Sequence, residues 1–504
     1  MKKISLALLL LLHTGLSCLG QQPNVVVILA DDIGTGDISF YQRLHPGNVM
    51  VETPNIDRLA QHGMYFTNAH APAALCAPSR YAIMTGNNTY RSYQPWGVWG
   101  AYERSPIEPG QLTLGKLMQQ AGYHTAFLGK WHMGGDWNRK SDTTRIYRSP
   151  RKAPEMDVDI TKRVGGGPLQ NGFDYALTLP SGVQDVPYAV YEHGKWTPLK
   201  PGAEIGLITQ ENMRKIGVDL DKDEGLGDLA WDPHTMGPLL AQKAVSYIEE
   251  QSRKKQPFFM YYSSQAVHLP HTPPATLNGR KIAGSTPEKH LDMIVELDEQ
   301  VGMIVDALKA TGKYENTLII FTSDNGGLMF PTTLATGHQP NSIYRSGKNS
   351  IYEGGHRVPF IASWPGKIKE GRASDELVVG LDIMATLAGI NKQGIPQGQA
   401  LDSHNLLPLL LGKQGAHGHA YLLLQGGTGH EASYHEGDWK LIVQLDPADK
   451  TDQTRTPIAL FDLRKNPSEI EQSNLLNTLP EKAQELFNKY NKRRDMEGRT
   501  ASLR

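Results

Sequence analysis

The sequence predicts an α/β fold in which a large mixed, mostly parallel sheet is sandwiched by helices and followed by a smaller C-terminal α+β domain. Two observations predict the sheet: apolar runs that end abruptly in polar residues, and segments of helical periodicity between those runs. A third observation, a change to short strands after about residue 413, predicts the second domain. The length of 504 residues agrees, because one compact core rarely organises so long a chain.

The first 20 residues have the features of a secretory signal peptide. Two lysines precede an apolar run over residues 4–12, and small residues follow it. The run is too short to cross a bilayer, so no transmembrane segment is expected. We expect cleavage after Gly20 and an exported protein, periplasmic or secreted, of the bacterial type. Lipoprotein anchoring through Cys18 is the alternative.

The predicted strands of the large sheet share near-continuous apolar sequence, the pattern of strands buried on both faces. They cover residues 24–30, 123–128, 257–263 and 317–322. The predicted helices between them have apolar residues at helical spacing and cover residues 55–61, 112–121, 238–251 and 288–310. This alternation is typical of a doubly wound sheet.

Polar side chains follow each predicted strand directly, and ligands of open α/β sheets gather at that edge. These residues are Asp31, Asp32, Lys130, His132, His268, Asp324 and Asn325. The pattern therefore predicts a site at the carboxyl edge of the sheet.

The C-terminal part of the chain has a different pattern. Short predicted strands at residues 420–425, 439–445 and 458–463 precede a predicted helix at 480–492. We therefore divide the mature chain into a domain of residues 21–413 and a smaller domain of residues 414–504.

The overall charge gives no sign of a polyanionic partner. The chain has 51 Lys and Arg against 52 Asp and Glu, a formal net charge of -1. Neither nucleic acid nor an anionic membrane surface is favoured by such a balance. Any recognition of an anion must come from a local cluster of basic residues.

Cys76 is the one cysteine left if Cys18 is removed or acylated, so no internal disulfide is expected. Residues 76–80 read Cys-Ala-Pro-Ser-Arg, which resembles the C-x-P-S-R sequence of the type I, formylglycine-dependent sulfatases. That family belongs to the alkaline phosphatase superfamily, so the resemblance implies an alkaline-phosphatase-like fold and hydrolysis of a sulfate ester. It also implies that a formylglycine-generating or sulfatase-maturating enzyme oxidises Cys76 to formylglycine (3-oxoalanine).

The resemblance implies the chemistry of the modified Cys76. One hydroxyl of the hydrated aldehyde attacks sulfur, and the other expels sulfate as the aldehyde returns. Arg80 belongs to a predicted helix at residues 79–84, whose positive end favours a bound sulfate. A buried structural cysteine before an ordinary helix is the alternative.

Four further segments resemble the family in the same order along the chain. By that resemblance a calcium ion is held by Asp31, Asp32, Asp324 and Asn325 together with the modified Cys76. Hard oxygen donors suit calcium, and the absence of imidazole from this set makes zinc the weaker choice. A helix or turn cap is the alternative role of the first two aspartates.

Three more segments supply the remaining catalytic residues of the family. Lys130 and His132, in the sequence Gly-Lys-Trp-His, are expected to contact the diol and the sulfate, and His132 can accept a proton. His268 is expected to donate a proton to the leaving alcohol, with His271 as its rival. Lys348 is expected to complete a cationic clamp on the sulfate.

The substrate is predicted with less detail because substrate loops vary within a family. We expect a sulfated saccharide, with a sulfated galactose or N-acetylgalactosamine unit as the hypothesis. His338 and Arg345 are expected to reach hydroxyls of the sugar ring, following the carbohydrate sulfatases that this stretch resembles. Aromatic residues at 93–102 either stack on sugar or pack as a loop. The sulfated hydroxyl, endo- or exo-action and the oligomeric state stay open.

Two other functions compete with this interpretation. A phosphonate monoester or phosphodiester hydrolase of the same superfamily uses the same formylglycine on phosphorus. A catalytically dead protein that binds sulfated glycan retains the pocket without turnover. Lys130, His132 and Lys348 favour sulfate over the first alternative, and the filled catalytic positions argue against the second.

Overall fold

The computed structural model describes residues 22–149, 156–427, 430–449 and 454–495. The predicted signal segment of residues 1–20, including Cys18, lies outside these residues. Within them, no helix has the length and apolar content needed to cross a membrane.

Strands are present along the whole described chain. They are β1 (Asn24–Ala30), β2 (Met64–Phe66), β3 (Ala69–His70), β4 (His124–Lys130), β5 (Asp136–Asn138), β6 (Ile146–Tyr147), β7 (Arg163–Gly165), β8 (Tyr175–Leu179), β9 (Tyr191–Glu192), β10 (Lys195–Trp196), β11 (Ile205–Ile208), β12 (Gly225–Asp228), β13 (Phe258–Ser263), β14 (Thr276–Leu277), β15 (Arg280–Lys281), β16 (Thr317–Ser323), β17 (Phe360–Ser363), β18 (Arg372–Ser374), β19 (Val378–Val379), β20 (Tyr421–Gln425), β21 (Glu431–Glu436), β22 (Trp439–Leu445) and β23 (Arg455–Asp462).

Eleven α-helices lie among the strands of the described part of the first 410 residues, and one more follows the last strand. They are α1 (Ser39–Gln42), α2 (Pro54–Gln61), α3 (Cys76–Thr85), α4 (Leu114–Gln120), α5 (Gln210–Arg214), α6 (Met236–Ser252), α7 (Lys289–Ala310), α8 (Pro331–Ala335), α9 (Glu353–His356), α10 (Ile383–Ile390), α11 (Leu407–Leu410) and α12 (Pro480–Arg494).

The large sheet has the strand order β10-β9-β8-β4-β13-β1-β16-β17-β2-β18. Its five central strands, from β8 to β16, run parallel to one another. Antiparallel neighbours flank this group on both sides. The carboxyl ends of five strands therefore lie along one edge, as the fold prediction required.

Strand β1 shows why the sheet sits between two layers of helices. Its side chains alternate between two apolar cores, with Val26 and Ile28 in one and Val25 and Val27 in the other. The first core also contains α6 and α7, and the second contains α3, α4 and α10. Both faces of β1 are buried, which explains its continuous apolar sequence.

The C-terminal region forms a separate antiparallel sheet of order β20-β21-β22-β23. Helix α12 packs on it through Leu486 and Tyr490, against Leu441 and Val443 of β22. The predicted fold class, a large mostly parallel sheet with helices and a smaller antiparallel unit, is confirmed. The exact domain boundary near residue 414 stays a prediction.

Two local differences from the sequence prediction matter for the site. Helix α3 begins at Cys76 and not at Ser79, because a proline in the first turn removes no helical hydrogen bond. Strand β8 was not predicted, since it has only five residues. Both elements lie next to the polar edge of the sheet.

Candidate active site

Four parallel strands bring the predicted site residues together. Register pairs Ala30 of β1 with Ser323 of β16, so the aspartates that follow these strands are neighbours. Register likewise pairs Gly129 of β4 with Ser263 of β13. Residues that are far apart in the sequence therefore meet at one edge, as expected for parallel strands.

Three carboxylates form the acidic part of the site. Asp31, Asp32 and Asp324 are fully buried, and one oxygen of each lies within 4.8 Å of the others. The Asp32 backbone N–H donates to Asp324 Oδ1 at 3.0 Å. Asn325 Nδ2 donates to Asp32 Oδ1 at 2.9 Å, which orients the amide beside the carboxylates.

This group fits a hard cation. Within the described chain, Asn325 Oδ1 and Asp31 Oδ1 are buried and accept no hydrogen bond. Such oxygens are costly to bury without a donor or a metal. Carboxylate and amide oxygens are the ligands that calcium prefers.

The pKa values of the carboxylates also favour a bound cation. Burial raises the pKa of Asp324 to about 7 against the pull of Arg80, and the neighbouring Asp31 and Asp32 raise it further. Burial would also raise the pKa of Asp31, but Lys130, Arg80 and Lys348 lower it to about 2. A cation beside the three carboxylates would favour the ionised form of Asp324.

Three basic side chains surround the carboxylates. Lys130 Nζ lies 2.6 Å from Asp31 Oδ2, and Lys348 Nζ lies 2.7 Å from Asp32 Oδ2. A terminal guanidinium nitrogen of Arg80 lies 2.6 Å from an oxygen of Asp324, and another donates to Ser263 Oγ at 2.6 Å. The predicted cationic clamp is therefore assembled around the acidic group.

Cys76 is the first residue of α3 and is 3% exposed. Its Sγ lies 3.4 Å from Nδ1 of His132. Burial raises the pKa of the thiol, although Lys130 and Lys348 oppose this. The unmodified side chain is therefore a protonated thiol and a poor nucleophile near neutral pH.

His268 lines the cavity that opens beside the carboxylates. Its Nδ1–H donates to the carbonyl of Leu269 at 2.8 Å, and its Nε2 lies 3.7 Å from Asp32 Oδ2. Burial lowers its pKa well below the usual value, and Lys348 and Lys130 lower it further. The rival, His271, stacks against His290 with ring centroids 4.9 Å apart and does not line the cavity.

A cavity of about 410 Å³ opens over this group. Residues from eight segments of the chain line it, and they are Asp32, Leu75, Cys76, Val98, Gln184, Asp185, Asp221, Lys222, Asp223, His268, Leu269, Leu328, Lys348 and Asn349. The volume lies in the usual range for small-ligand sites.

The two residues expected to bind sugar do not line this cavity. His338 is 2% exposed and its Nε2–H donates to Asp37 Oδ1 at 2.7 Å. Arg345 donates to the carbonyl of Glu469 and lies over the ring of Tyr352 at 3.7 Å. The structure therefore does not bring them to the other predicted site residues.

The aromatic segment at residues 93–102 is mostly packed. Trp99 is fully buried in the core with α3 and α4, and Tyr102 is 4% exposed. The part of the segment that lines the cavity is Val98, an aliphatic residue. Packing therefore explains the rings of Trp99 and Tyr102.

Sequence reasoning missed the cavity wall made by residues 184–185 and 221–223. Gln184 and Asp185 follow β8. The last residue of β8, Leu179, accepts a hydrogen bond at its carbonyl from the backbone N–H of Trp131, which lies between the site residues Lys130 and His132. A search for polar residues after short strands would have found them. The segment at 221–223 lies in a loop that has no comparable signal.

Comparisons with known proteins agree with this arrangement. The family model described as Sulfatase matches residues 23–391. A second model, described as N-sulphoglucosamine sulphohydrolase, C-terminal, matches residues 346–495. Together they span the catalytic sheet and the C-terminal sheet.

Individual relatives cover most of the chain. N-acetylgalactosamine-6-O-sulfatase of Bacteroides thetaiotaomicron is 31% identical over 92% of this chain and 92% of its own length. Arylsulfatase A of Homo sapiens is 32% identical over 81% of this chain and 71% of its own. A solved structure described under the metabolism of multiple glycosaminoglycans by Bacteroides thetaiotaomicron has a TM-score of 0.79 at 30% identity, covering 94% of this chain and 100% of that one. The geometry of the site agrees with these matches, which show that the chain belongs to the sulfatase family and is a sulfuric ester hydrolase.

Proposed function

We propose that the protein is a calcium-dependent glycan sulfatase whose nucleophile is formylglycine made from Cys76. One observation carries the proposal: Cys76 lies in a buried pocket beside Lys130, Lys348 and Arg80. Three cations around one small pocket suit a tetrahedral oxyanion. Acidic and amide oxygens next to them complete a site for a metal and a sulfate together.

The chain's own oxygens would hold the metal. Asp31, Asp32, Asp324 and Asn325 are the ligands that we assign to calcium. When bound, calcium supplies a positive charge that offsets the charge of a sulfate oxygen. Lys130 and Lys348, now paired with carboxylates, would then be released in part to bind the sulfate.

Formylglycine supplies, as its hydrate, one hydroxyl that attacks sulfur and a second that allows sulfate to leave without attack by water. His132 Nδ1 lies 3.4 Å from the Sγ position of Cys76, within reach of a hydroxyl proton there. We assign to His132 the acceptance of the proton that is lost when sulfate departs.

His268 is assigned to the leaving alcohol. Because its Nδ1–H is held by the Leu269 carbonyl, Nε2 is the nitrogen free to act toward the cavity. Proton donation from Nε2 requires the doubly protonated ring, and burial beside two lysines opposes that state. A bound sulfate ester adds negative charge beside the ring and favours protonation.

The substrate proposal rests on relatives. The bacterial relative at 31% identity is named for N-acetylgalactosamine 6-sulfate, so a sulfated galactose or N-acetylgalactosamine unit is the substrate class that we assign. Export across the inner membrane and maturation by a formylglycine-generating enzyme complete the proposal. Export agrees with the lysine-led apolar segment at the start of the chain, and maturation agrees with the Cys-Ala-Pro-Ser-Arg sequence at residues 76–80.

Two measurements on one sample test the proposal. The protein is produced with a maturation enzyme, and the mass of the peptide that carries Cys76 is measured; conversion to the aldehyde lowers it by about 18 Da. Sulfate release is then followed with N-acetylgalactosamine 6-sulfate, galactose 6-sulfate and an aryl sulfate, and release of the phenol is followed with an aryl phosphodiester.

We expect the modified peptide and release of sulfate from at least one sugar. An unmodified thiol in fully active protein would overturn the formylglycine assignment. Faster turnover of the phosphodiester than of the sulfate esters would favour a phosphonate monoester or phosphodiester hydrolase. Binding of the sulfated sugars without release of sulfate would favour a glycan-binding protein.

A further inference from the structure

Two long polar side chains of α7 lie inside the apolar core that packs on the large sheet. Glu296 and Gln300 are 1% and 0% exposed, and their helical neighbours Leu297 and Val301 belong to that core. Polar groups are costly to bury unless they are hydrogen-bonded. Two such residues, one helical turn apart, therefore indicate a specific set of partners inside the core.

Both side chains are bonded to the segment that follows β13 and carries His268. Gln265 Nε2 donates to Glu296 Oε1 at 2.8 Å, and the Ser264 hydroxyl donates to Gln300 Oε1 at 2.9 Å. Gln300 Nε2 donates to the same Glu296 oxygen at 3.0 Å, which joins the two bonds in one network. Side chains of α7 thus reach through the core to this segment.

Residues 264–268, which we call the histidine turn, form a tight turn that ends at His268. The His268 backbone N–H donates to the Gln265 carbonyl at 3.1 Å, and the Ala266 N–H donates to Ser264 Oγ at 3.1 Å. The residues that α7 holds are therefore the same residues whose bonds shape the turn. A shift of either would displace the backbone that carries the His268 imidazole.

The opposite side of the histidine turn is bonded to the end of β1. The Asp31 N–H donates to the Ala266 carbonyl at 3.0 Å, and the Val267 N–H donates to the Asp31 carbonyl at 2.7 Å. The turn is thus fixed between the carboxyl end of β1 and helix α7. Loss of the α7 bonds would leave the β1 bonds in place, so the fold should survive while the turn gains freedom.

Helix α6 covers the network closely and has a glycine at the point of contact. A methyl group placed on Gly237 would lie 1.6 Å from Glu296 Oε1 and 2.6 Å from each of the two amide nitrogens that donate to it. Burial raises the pKa of Glu296 to about 8, so its carboxyl is mostly protonated at neutral pH. The network is therefore tightly packed and close to neutral, as suits a fixed anchor.

We propose that Glu296 and Gln300 are positioning residues for the reaction: by holding the histidine turn, they keep Nε2 of His268 aimed at the oxygen of the leaving alcohol. The inference rests on the role proposed above for His268 and deepens it. Neither residue of α7 is among those that line the cavity, so they act on the reaction through the turn. A proton donor works only within hydrogen-bond reach of its acceptor, and small displacements weaken it steeply.

Leaving-group dependence distinguishes this role from a purely structural one. A 4-nitrophenolate departs readily without a proton, whereas the alkoxide of a sugar needs one. For the matured Glu296→Met protein, the ratio of kcat/KM for N-acetylgalactosamine 6-sulfate to kcat/KM for 4-nitrophenyl sulfate should fall at least about tenfold. Gln300→Met, which removes the acceptor of the Ser264 hydroxyl, should lower the same ratio. His268→Ala gives the reference value for loss of the proton donor.

Two control variants keep the comparison specific. Glu296→Gln retains a carbonyl oxygen that can accept from both amides, so its ratio should stay close to that of the parent. Asp298→Leu alters a buried carboxyl of the same helix that bonds α2 instead, where it accepts from the backbone N–H groups of Asn55 and Ile56 at 2.9 Å. That variant should lower the unfolding midpoint and leave the ratio unchanged.

Amide hydrogen exchange tests the anchor without any turnover. Exchange at the backbone N–H groups of Ala266 and His268 is followed by mass spectrometry on peptides that span the histidine turn. It should be faster in Glu296→Met than in the parent and unchanged in Asp298→Leu. Unchanged exchange in Glu296→Met, an equal loss of kcat/KM on both substrates, or an equal fall of the ratio in Asp298→Leu would overturn the inference.

Failure of this inference can be told from failure of the proposed function. A ratio that falls in His268→Ala but not in the two α7 variants rejects the positioning role and leaves the proposed function standing. An equal loss on both substrates in His268→Ala rejects the proton-donor role, and the inference with it. Faster exchange in Glu296→Met, in a protein whose matured parent releases no sulfate from any ester, keeps the anchor and rejects the proposed enzyme.

Discussion

The surroundings of Cys76 make its unmodified thiol a poor nucleophile. Burial raises the pKa of the thiol, yet the same burial and the neighbouring lysines suit a neutral hydroxyl beside a bound anion. The environment therefore favours an oxygen nucleophile over a thiolate. In the proposed mechanism His132, whose Nδ1 lies 3.4 Å from Cys76 Sγ, serves that nucleophile and does not ionise the thiol.

Cys76→Ala should abolish turnover by several orders of magnitude while the protein stays folded. The substitution deletes the reacting group but removes only one small buried atom from the packing. Sulfate release and the urea unfolding midpoint are compared with those of the mature enzyme. Substantial remaining activity would falsify the nucleophile assignment.

Glu296 on α7 is a second residue whose state is set by burial. Burial raises its pKa to about 8, although Gln265 and Gln300 donate to its Oε1 at 2.8 and 3.0 Å and lower it. The unfolded carboxyl ionises near 4.5. As the pH rises from 4.5 to 8, ionisation therefore stabilises the unfolded chain relative to the folded one.

Glu296→Gln should remove this pH dependence. Relative to the parent, the free energy of unfolding of the variant should rise between pH 5 and pH 8 by at most about 1.4 kcal/mol per pH unit. Urea unfolding of both proteins at the two pH values measures the change. If the free energies of unfolding of the variant and the parent differ by the same amount at pH 5 and at pH 8, the raised pKa of Glu296 is contradicted.

At the scale of elements, one buried charged cluster joins the two sheets. Lys440 of β22 lies 2.9 Å from Glu353 of α9 and 2.8 Å from Glu469. Burial would raise the pKa of Glu353, but Lys440 and Arg357 hold it well below its usual value. Helix α9 begins five residues after Lys348, so the cluster helps to hold the loop that carries the sulfate-binding lysine.

Lys440→Met should destabilise the protein by about 3–5 kcal/mol, because it removes the buried cation that lies between the carboxylates of Glu353 and Glu469. Lys489→Met is the matched control: Lys489 pairs with Glu436 at the surface of the same C-terminal unit and is 40% exposed. The control should leave the unfolding midpoint almost unchanged. Equal midpoints for the two variants would show that the cluster contributes little.

At the scale of the whole molecule, the proposed calcium site would tie stability to activity. Its ligands follow β1 and β16, two adjacent central strands of the large sheet. A cation that binds only the folded state raises the free energy of unfolding by mass action. The same cation offsets the repulsion among the three buried carboxylates.

Chelation of calcium should therefore lower activity and the thermal unfolding midpoint together, and added calcium should restore both. Differential scanning fluorimetry and sulfate release are followed over one titration. Asp324→Asn, which lacks one ligand, should show a smaller response to the chelator. If the thermal unfolding midpoint of the parent does not change when the chelator is added, the metal site is not occupied.

Much of the architecture could be predicted from local sequence. Continuous apolar runs such as residues 24–30 identify strands buried on both faces, and the polar residues after them identify the functional edge. Short elements were harder: β8 has five residues, and β21 carries polar residues on an antiparallel strand. Neither pattern differs enough from loop sequence to be recognised alone.

The sequence by itself determined the fold class and the family and predicted the residues that we propose for the sulfate pocket, because each depends on periodicity or on a motif within a few residues. Only the tertiary structure decided that His338 bonds Asp37, that Cys76 faces His132, and that residues 184–185 and 221–223 form the cavity wall. These contacts join segments that are distant in the chain. Their formation depends on how loops pack over the sheet edge, which local propensity does not encode.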